Sequence, residues 1–169
     1  EIIFEYMSEE INKNVKYIIA PHEVSEKNIS RIKSKLNNKV NLLSDYIYNA
    51  QSNILIVNSI GVLKYLYKFS NISYVGGGFK KKGLHNILEP CVYGNPVIFG
   101  KYFKFSNEAK ALIKQKGGFS VQNSKQLKST VNELLFNANK LKEIKIINSK
   151  FIDDNLVSIN SIIKSIQNE

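Results

Sequence analysis

Residues Val75 to Gly100 read "VGGGFKKKGLHNILEPCVYGNPVIFG", and the fold can be worked out from them in both directions. The first residue belongs to the apolar strand "ISYVG", and the end, "PVIFG", reads as a second buried strand. Between them come a glycine–lysine turn and a short helical segment from Glu89 to Tyr93, stopped by Gly94. Strand, helix, strand with continuous apolar strands is the pattern of a parallel sheet covered by helices on both faces.

The alternation continues on either side. Upstream come a helix over 2–12, the strand "KYIIAP", a helix with Ile29, Ile32 and Leu36 on one face, and the weak strand "VNLLS". They are followed by the strong strand "NILIVN" and the helix "GVLKYLYKFS". Downstream are a helix over 106–116, ended by Gly117 and Gly118, and the short strand "FSV". Leu127, Val131, Leu134, Leu135, Ala138 and Leu141 then form one helical stripe, and Leu156, Ile159, Ile163 and Ile166 a second. The expectation is one α/β domain over residues 1–169. In such sheets ligands bind at the carboxyl ends of the strands, where "APHE", "NSIG" and the quoted segment fall.

Composition narrows the class. The 169 residues are 43% hydrophobic and 11% aromatic, which are globular values. No apolar run is long enough to span a bilayer, and the single cysteine, Cys91, excludes an internal disulfide framework. Cys91 is expected in the core, and no histidine or cysteine spacing supports a metal. The formal charge of +10 is almost all lysine, and it suits an anionic small ligand, a nucleic acid or an anionic membrane surface equally. The chain opens at Glu1 inside a helical pattern, as a piece of a longer protein would.

Within the quoted segment, Gly76, Gly77 and Gly78 leave the backbone open to close approach. Pro90 suits the first turn of a helix, whose free amides would favour phosphate. Glu89 can accept hydrogen bonds from paired ribose hydroxyls, and Asn86 can donate and accept at once. A nucleotide site and an ordinary glycine turn with a helix cap both fit. Lys80, Lys81 and Lys82 could neutralise an anion, although a lysine run on a loop is ordinarily solvated. Tyr65, Tyr67 and Phe69 read as packing residues, and His85 as a hydrogen-bond donor or turn residue.

"YVGGGF…GLHNILEPCVYGNPVIFG", followed by "KF" and "EAKALIKQKGG", resembles the carboxyl-terminal half of the 3-deoxy-D-manno-octulosonic acid (Kdo) transferases. "APHE" and "NSIGVLKYLY" stand where that family has its Pro-Arg/His motif and its Gly-Glu-Leu-like motif. The resemblance implies a Rossmann-like domain, one half of a GT-B glycosyltransferase, binding the donor CMP-Kdo. It implies that Pro21 and His22, then Ile60, Gly61 and Val62, then Asn86, Ile87, Leu88 and Glu89 line the CMP site. Gly77, Gly78 and Lys81 would be further donor contacts. Asn58 and Val62 depart from the family's acidic residues, and "GKYFKF" departs from its Gly-Pro start.

The family transfers Kdo to a lipid A precursor in lipopolysaccharide synthesis, at the cytoplasmic face of the bacterial inner membrane. Its general base is a glutamate on the amino-terminal, acceptor-docking domain, which the resemblance places outside this chain. On the resemblance, then, the chain holds no catalytic residue and is inactive alone, needing neither cofactor nor metal. Another GT-B nucleotide-sugar enzyme, a glycosyltransferase or epimerase, is the first alternative. A basic nucleic-acid-binding module is the second, and it predicts a steep salt dependence.

Overall fold

The computed structural model describes residues 2–9, 15–37, 40–45, 49, 51–79 and 83–167. The chain forms two compact units, Glu1–Tyr65 and Leu66–Glu169.

The first unit contains α1 (Ile2–Glu9), β1 (Tyr17–Ile19), α2 (Glu26–Lys35), β2 (Asn41–Leu42) and β3 (Ile54–Ile56). Its sheet has the order β1-β3-β2 with both pairings parallel, placing Tyr17 beside Ile54 and Asn41 beside Leu55. β3 is central because it is the most apolar run, and Ile54, Ile56 and the following Val57 are all buried. α2 starts where the Ser25 hydroxyl accepts the Asn28 amide, and it presents Ile29, Ile32 and Leu36 inward at helical spacing. It stops at Asn37, whose φ of +54° is the left-handed conformation that asparagine tolerates at a helix end.

The chain passes between the units within α3 (Leu63–Leu66), which is one turn long and gives way to a 3-10 turn over Tyr67–Phe69. The second unit continues with β4 (Ser73–Tyr74), α4 (Leu88–Cys91), β5 (Val97–Gly100), α5 (Asn107–Lys114) and β6 (Gly118–Val121). It ends with α6 (Ser124–Leu135) and α7 (Ala138–Gln167). Its sheet has the order β4-β5-β6, again wholly parallel. Every residue of β5 is buried, as its unbroken apolar sequence requires of a strand covered on both faces. Val97 and Phe99 share a core with Val75, Ile87, Cys91, Ala109, Leu112 and Phe151. Cys91 is thus a core residue, and burial pushes its thiol up to about 12.

The parallel α/β expectation holds, and two details change. The stripe from Leu127 to Leu141 is not one helix: the Asn137 side chain accepts the Lys140 amide and starts α7 anew, which leaves Ala138 exposed. The aromatic set is not core either, since Tyr65 and Phe69 are 58% and 65% exposed. With only one α-helical turn at α3 before the tighter 3-10 turn, Tyr65, Tyr67 and Phe69 do not share a buried face. No described helix is long and apolar enough to cross a membrane.

Candidate functional site

Parallel neighbours end at the same sheet edge, so the loops after β1 and β3 lie together in the first unit. Pro21 and exposed His22 follow β1; Ile60, Gly61 and Val62 follow β3. Ile60 is 86% exposed. Gly61 has φ +86°, which disfavours any side chain, yet a Cβ built there would meet nothing within 4 Å. Asn58 serves the fold locally. Its amide donates to the Ser44 Oγ at 2.7 Å, and its oxygen accepts the Ser44 amide at 3.2 Å. An aspartate could not make the first bond as a donor. The departure from the family's acid is therefore matched by a bond that ties the loop after β2 to the end of β3.

In the second unit the loops after β4 and β5 share an edge by the same rule. The chain leaving β4 folds back on itself: Gly77 bridges Leu84, and the Gly78 amide donates to Gly83 at 2.8 Å. Gly78 then lies flat against the end of β5. Its carbonyl accepts the Tyr102 amide at 2.7 Å, and a Cβ on it would meet the Leu84 side chain and, at 3.0 Å, Gly100 Cα. Gly77 and Gly78 are thus required by chain packing, whatever else they touch. Lys80, Lys81 and Lys82 lie outside the described residues.

The return limb carries the motif. Asn86 Oδ1 accepts the Leu88 amide at 2.9 Å, and Asn86 Nδ2 donates to Glu89 Oε1 at 3.0 Å. The first bond forms a turn at the entry to the one-turn helix α4 and occupies an amide that sequence reasoning left open for phosphate. The second fixes the carboxylate of Glu89 while leaving its other oxygen without a hydrogen bond among the described residues. Ile87 is buried and Leu88 half-buried, so the backbone between the two polar residues is anchored in the core. Tyr67 stands close by: burial raises its phenol above the ordinary value, and the negative charge of Glu89 adds to the shift. Tyr67 is itself held through its carbonyl, which accepts the Asn95 side-chain amide at 2.8 Å.

A cavity of about 730 Å³ opens beside this limb, between Gly83–Leu88 and Lys101–Ser106, with Glu108 at its margin. Sequence reasoning missed this second wall. Its signal was the alternation of lysine and aromatic residues in "KYFKF", straight after a strand end.

No protein-family model matches the chain. Sequence relatives do. The chain is 33% identical over 134 residues to a 3-deoxy-D-manno-octulosonic acid transferase of Aquifex aeolicus, covering 79% of this chain and 36% of that protein. It is 34% identical over 125 residues to the transferase of the same description from Rickettsia typhi, covering 72% of this chain and 25% of that protein. A bifunctional glycosyltransferase/methyltransferase of Fusobacterium nucleatum is 34% identical over 143 residues, or 83% of this chain and 21% of its own length. The matched segment thus spans about a third or less of these relatives. In three dimensions the chain matches the C-terminal CMP-Kdo binding domain of WaaA from Acinetobacter baumannii, with a TM-score of 0.78 and 23% identity. That match covers 89% of this chain and 81% of that domain. The resemblance carried by the "HNILEP" segment is borne out: the chain is a sequence relative of the Kdo transferases and has the fold of such a domain.

Proposed function

We propose that this chain is the donor-binding part of a glycosyltransferase that moves Kdo from CMP-Kdo to a lipid A precursor. The observation that carries this reading is the Asn86–Glu89 pair, set at the carboxyl edge of a parallel sheet on a core-anchored limb. The oxygen of Glu89 that no described residue bonds, on a carboxyl group held in direction by Asn86, is the acceptor that a ribose hydroxyl needs. Sequence identity of about a third to named Kdo transferases supports Kdo as the group moved, and the fold shared with a CMP-Kdo binding domain supports the nucleotide. Pro21, His22, Ile60, Gly61 and Val62 contribute through their sheet edge in the first unit, with Gly61 leaving its backbone uncovered.

Transfer requires a base on the acceptor hydroxyl and stabilisation of the departing phosphate. In this reading the base is supplied outside this chain, and the chain alone does not turn over CMP-Kdo. The acceptor lipid and the inner-membrane surface belong to the same proposal for the whole protein. CMP should raise the melting temperature of this chain, whereas UDP and UDP-sugars should not. Resonances near Asn86 and Gly61 should move in a CMP titration. Protection by UDP equal to that by CMP would favour another GT-B nucleotide-sugar enzyme, and movement confined to the amino ends of the strands would exclude the site.

A further inference from the structure

The donor reading leaves Tyr67 without a part, although the second unit devotes a buried polar cluster to placing it. The turn over Tyr67–Phe69 packs against α4, the helix that carries Glu89. Asn95, buried at 5% exposure, joins the two. Its backbone amide donates to the Pro90 carbonyl of α4 at 3.2 Å. Its side-chain amide donates to the Tyr67 carbonyl at 2.8 Å and to Ser70 Oγ at 2.7 Å. Its own carbonyl accepts the Asn148 side chain of α7 at 2.6 Å, which fixes it from a third side. The Tyr67 carbonyl also accepts the Ser70 amide and hydroxyl, both at 3.1 Å. A buried network of this kind costs desolvation and, once satisfied, holds one geometry. What it holds here is a tyrosine on a turn whose next ring, Phe69, is 65% exposed.

The Tyr67 phenol lies within the field of Glu89: burial, and then that negative charge, raise its pKa, so it remains an O–H donor at neutral pH. No described residue bonds its oxygen, and the Glu89 oxygen not held by Asn86 is open in the same way. The two open groups are complementary. A carboxylate only accepts, so it takes the protons of a sugar diol and leaves the diol's oxygens without a donor. A phenol beside it supplies that donor. A phosphate would fit worse, because the charge of Glu89 repels it. We propose that Tyr67 is a second ligand contact of the nucleotide site, its phenol donating to the oxygen of a ribose hydroxyl that itself donates to Glu89, and that Asn95 is the residue that positions it. The inference rests on the donor reading and adds a means of telling ribonucleotides from deoxyribonucleotides, since a site built to bond a hydroxyl rejects the analogue that lacks it.

The test is the affinity of the whole chain for CMP, 2′-deoxy-CMP and 3′-deoxy-CMP. Tyr67→Phe keeps the ring and the anchored carbonyl and removes only the donor. It should weaken CMP about 3- to 10-fold. For one of the two deoxy analogues its affinity should stay within about twofold of the parent's, because that analogue lacks the hydroxyl in question. Asn95→Ala should bring a loss of the same kind, and adding Tyr67→Phe to it should weaken CMP by less than about twofold more. If Asn95→Ala does not fold, Ser70→Ala, which removes a partner of the Asn95 amide, takes its place with the same expectation. Equal losses for CMP and both deoxy analogues in Tyr67→Phe would make the residue a packing element, and an unchanged CMP affinity would make it a bystander; either overturns the proposal. Losses that multiply in the double variant would take the positioning role from Asn95. Failure of the donor reading looks different, and it removes this inference too: CMP then does not bind the parent chain, or binds Glu89→Gln equally well.

Discussion

Gly61 and Gly78 each follow a strand of a parallel sheet, and each has a positive φ, +86° and +71°. Around Gly61 there is open space, with nothing near enough to touch a side chain. Around Gly78 there is none, because Leu84 and Gly100 close on it from two sides. The two carboxyl edges are therefore built on different principles. In the first unit, a short loop leaves a strand and exposes its backbone. In the second, a long excursion folds back, packs glycine on glycine and delivers Asn86 and Glu89 from a limb anchored by Ile87. A sheet edge of the second kind holds its polar groups in place before any ligand arrives, and it tolerates almost no substitution where the backbones meet.

The largest effect should come from breaking that close approach. Gly100→Ala sets a methyl group against the backbone of Gly78 and within 2.8 Å of the Gly77 carbonyl oxygen. Neither neighbour is a flexible side chain, so the loss should reach about 3 kcal/mol. Gly61→Ala meets no atom and should lose only about 1–2 kcal/mol, from the left-handed backbone alone. Urea denaturation of both variants measures the contrast directly, and equal losses would remove the distinction between the two edges.

Asn148 comes next. It is wholly buried on α7, and its side-chain amide donates to the carbonyls of Asn95 and Gly117, at 2.6 and 3.1 Å. Asn148→Ala leaves two carbonyls of the second unit without that donor and should cost about 2 kcal/mol in the same assay. A loss below about 0.5 kcal/mol would show that water replaces the amide, and that α7 is not what clamps the base of this sheet.

A pH-dependent difference follows from the second unit's buried acids. Burial raises Cys91 from 9.0 to about 12 and Tyr74 from 10.0 to about 12. Both groups are neutral in the folded state where the unfolded chain has already released their protons. Their contribution is thus complete below about pH 9 and is lost as the pH rises through the interval up to about 12. The urea midpoint should fall across that range, and Cys91→Ala should remove the part of the decline that begins near the free thiol value. A Cys91→Ala profile parallel to the parent's would place the alkaline loss elsewhere.

How much of this was legible in the sequence follows from where each signal is local. β3 and β5 announce themselves as apolar runs bounded by polar turns, and α2 and α5 begin at serines whose hydroxyls do cap them. The "HNILEP" segment marked the limb that carries Asn86 and Glu89. What the sequence hid was nonlocal. The apolar stripe runs through Phe136 and Asn137 without a break, so the division of α6 from α7 rests on a cap that competes with helix continuation. Gly78 read as an opening for a ligand because its partner, Gly100, is a strand away and only the fold brings them together. The cavity wall at Lys101–Ser106 was hidden for the same reason: its aromatic residues gain meaning only once the return limb lies opposite them.

If Glu89 is a ligand group positioned by Asn86, then CMP affinity and melting temperature must separate in Glu89→Gln. Glutamine keeps the shape and one acceptor but loses the charge that strengthens bonds to hydroxyls, a difference of about 1–3 kcal/mol. The variant should therefore bind CMP about 5- to 150-fold more weakly, and its melting temperature should shift by no more than about 2 °C. Unchanged affinity with a clearly lowered melting temperature would refute the donor-site role, for it would make the Asn86–Glu89 pair a turn at the helix entry and nothing more.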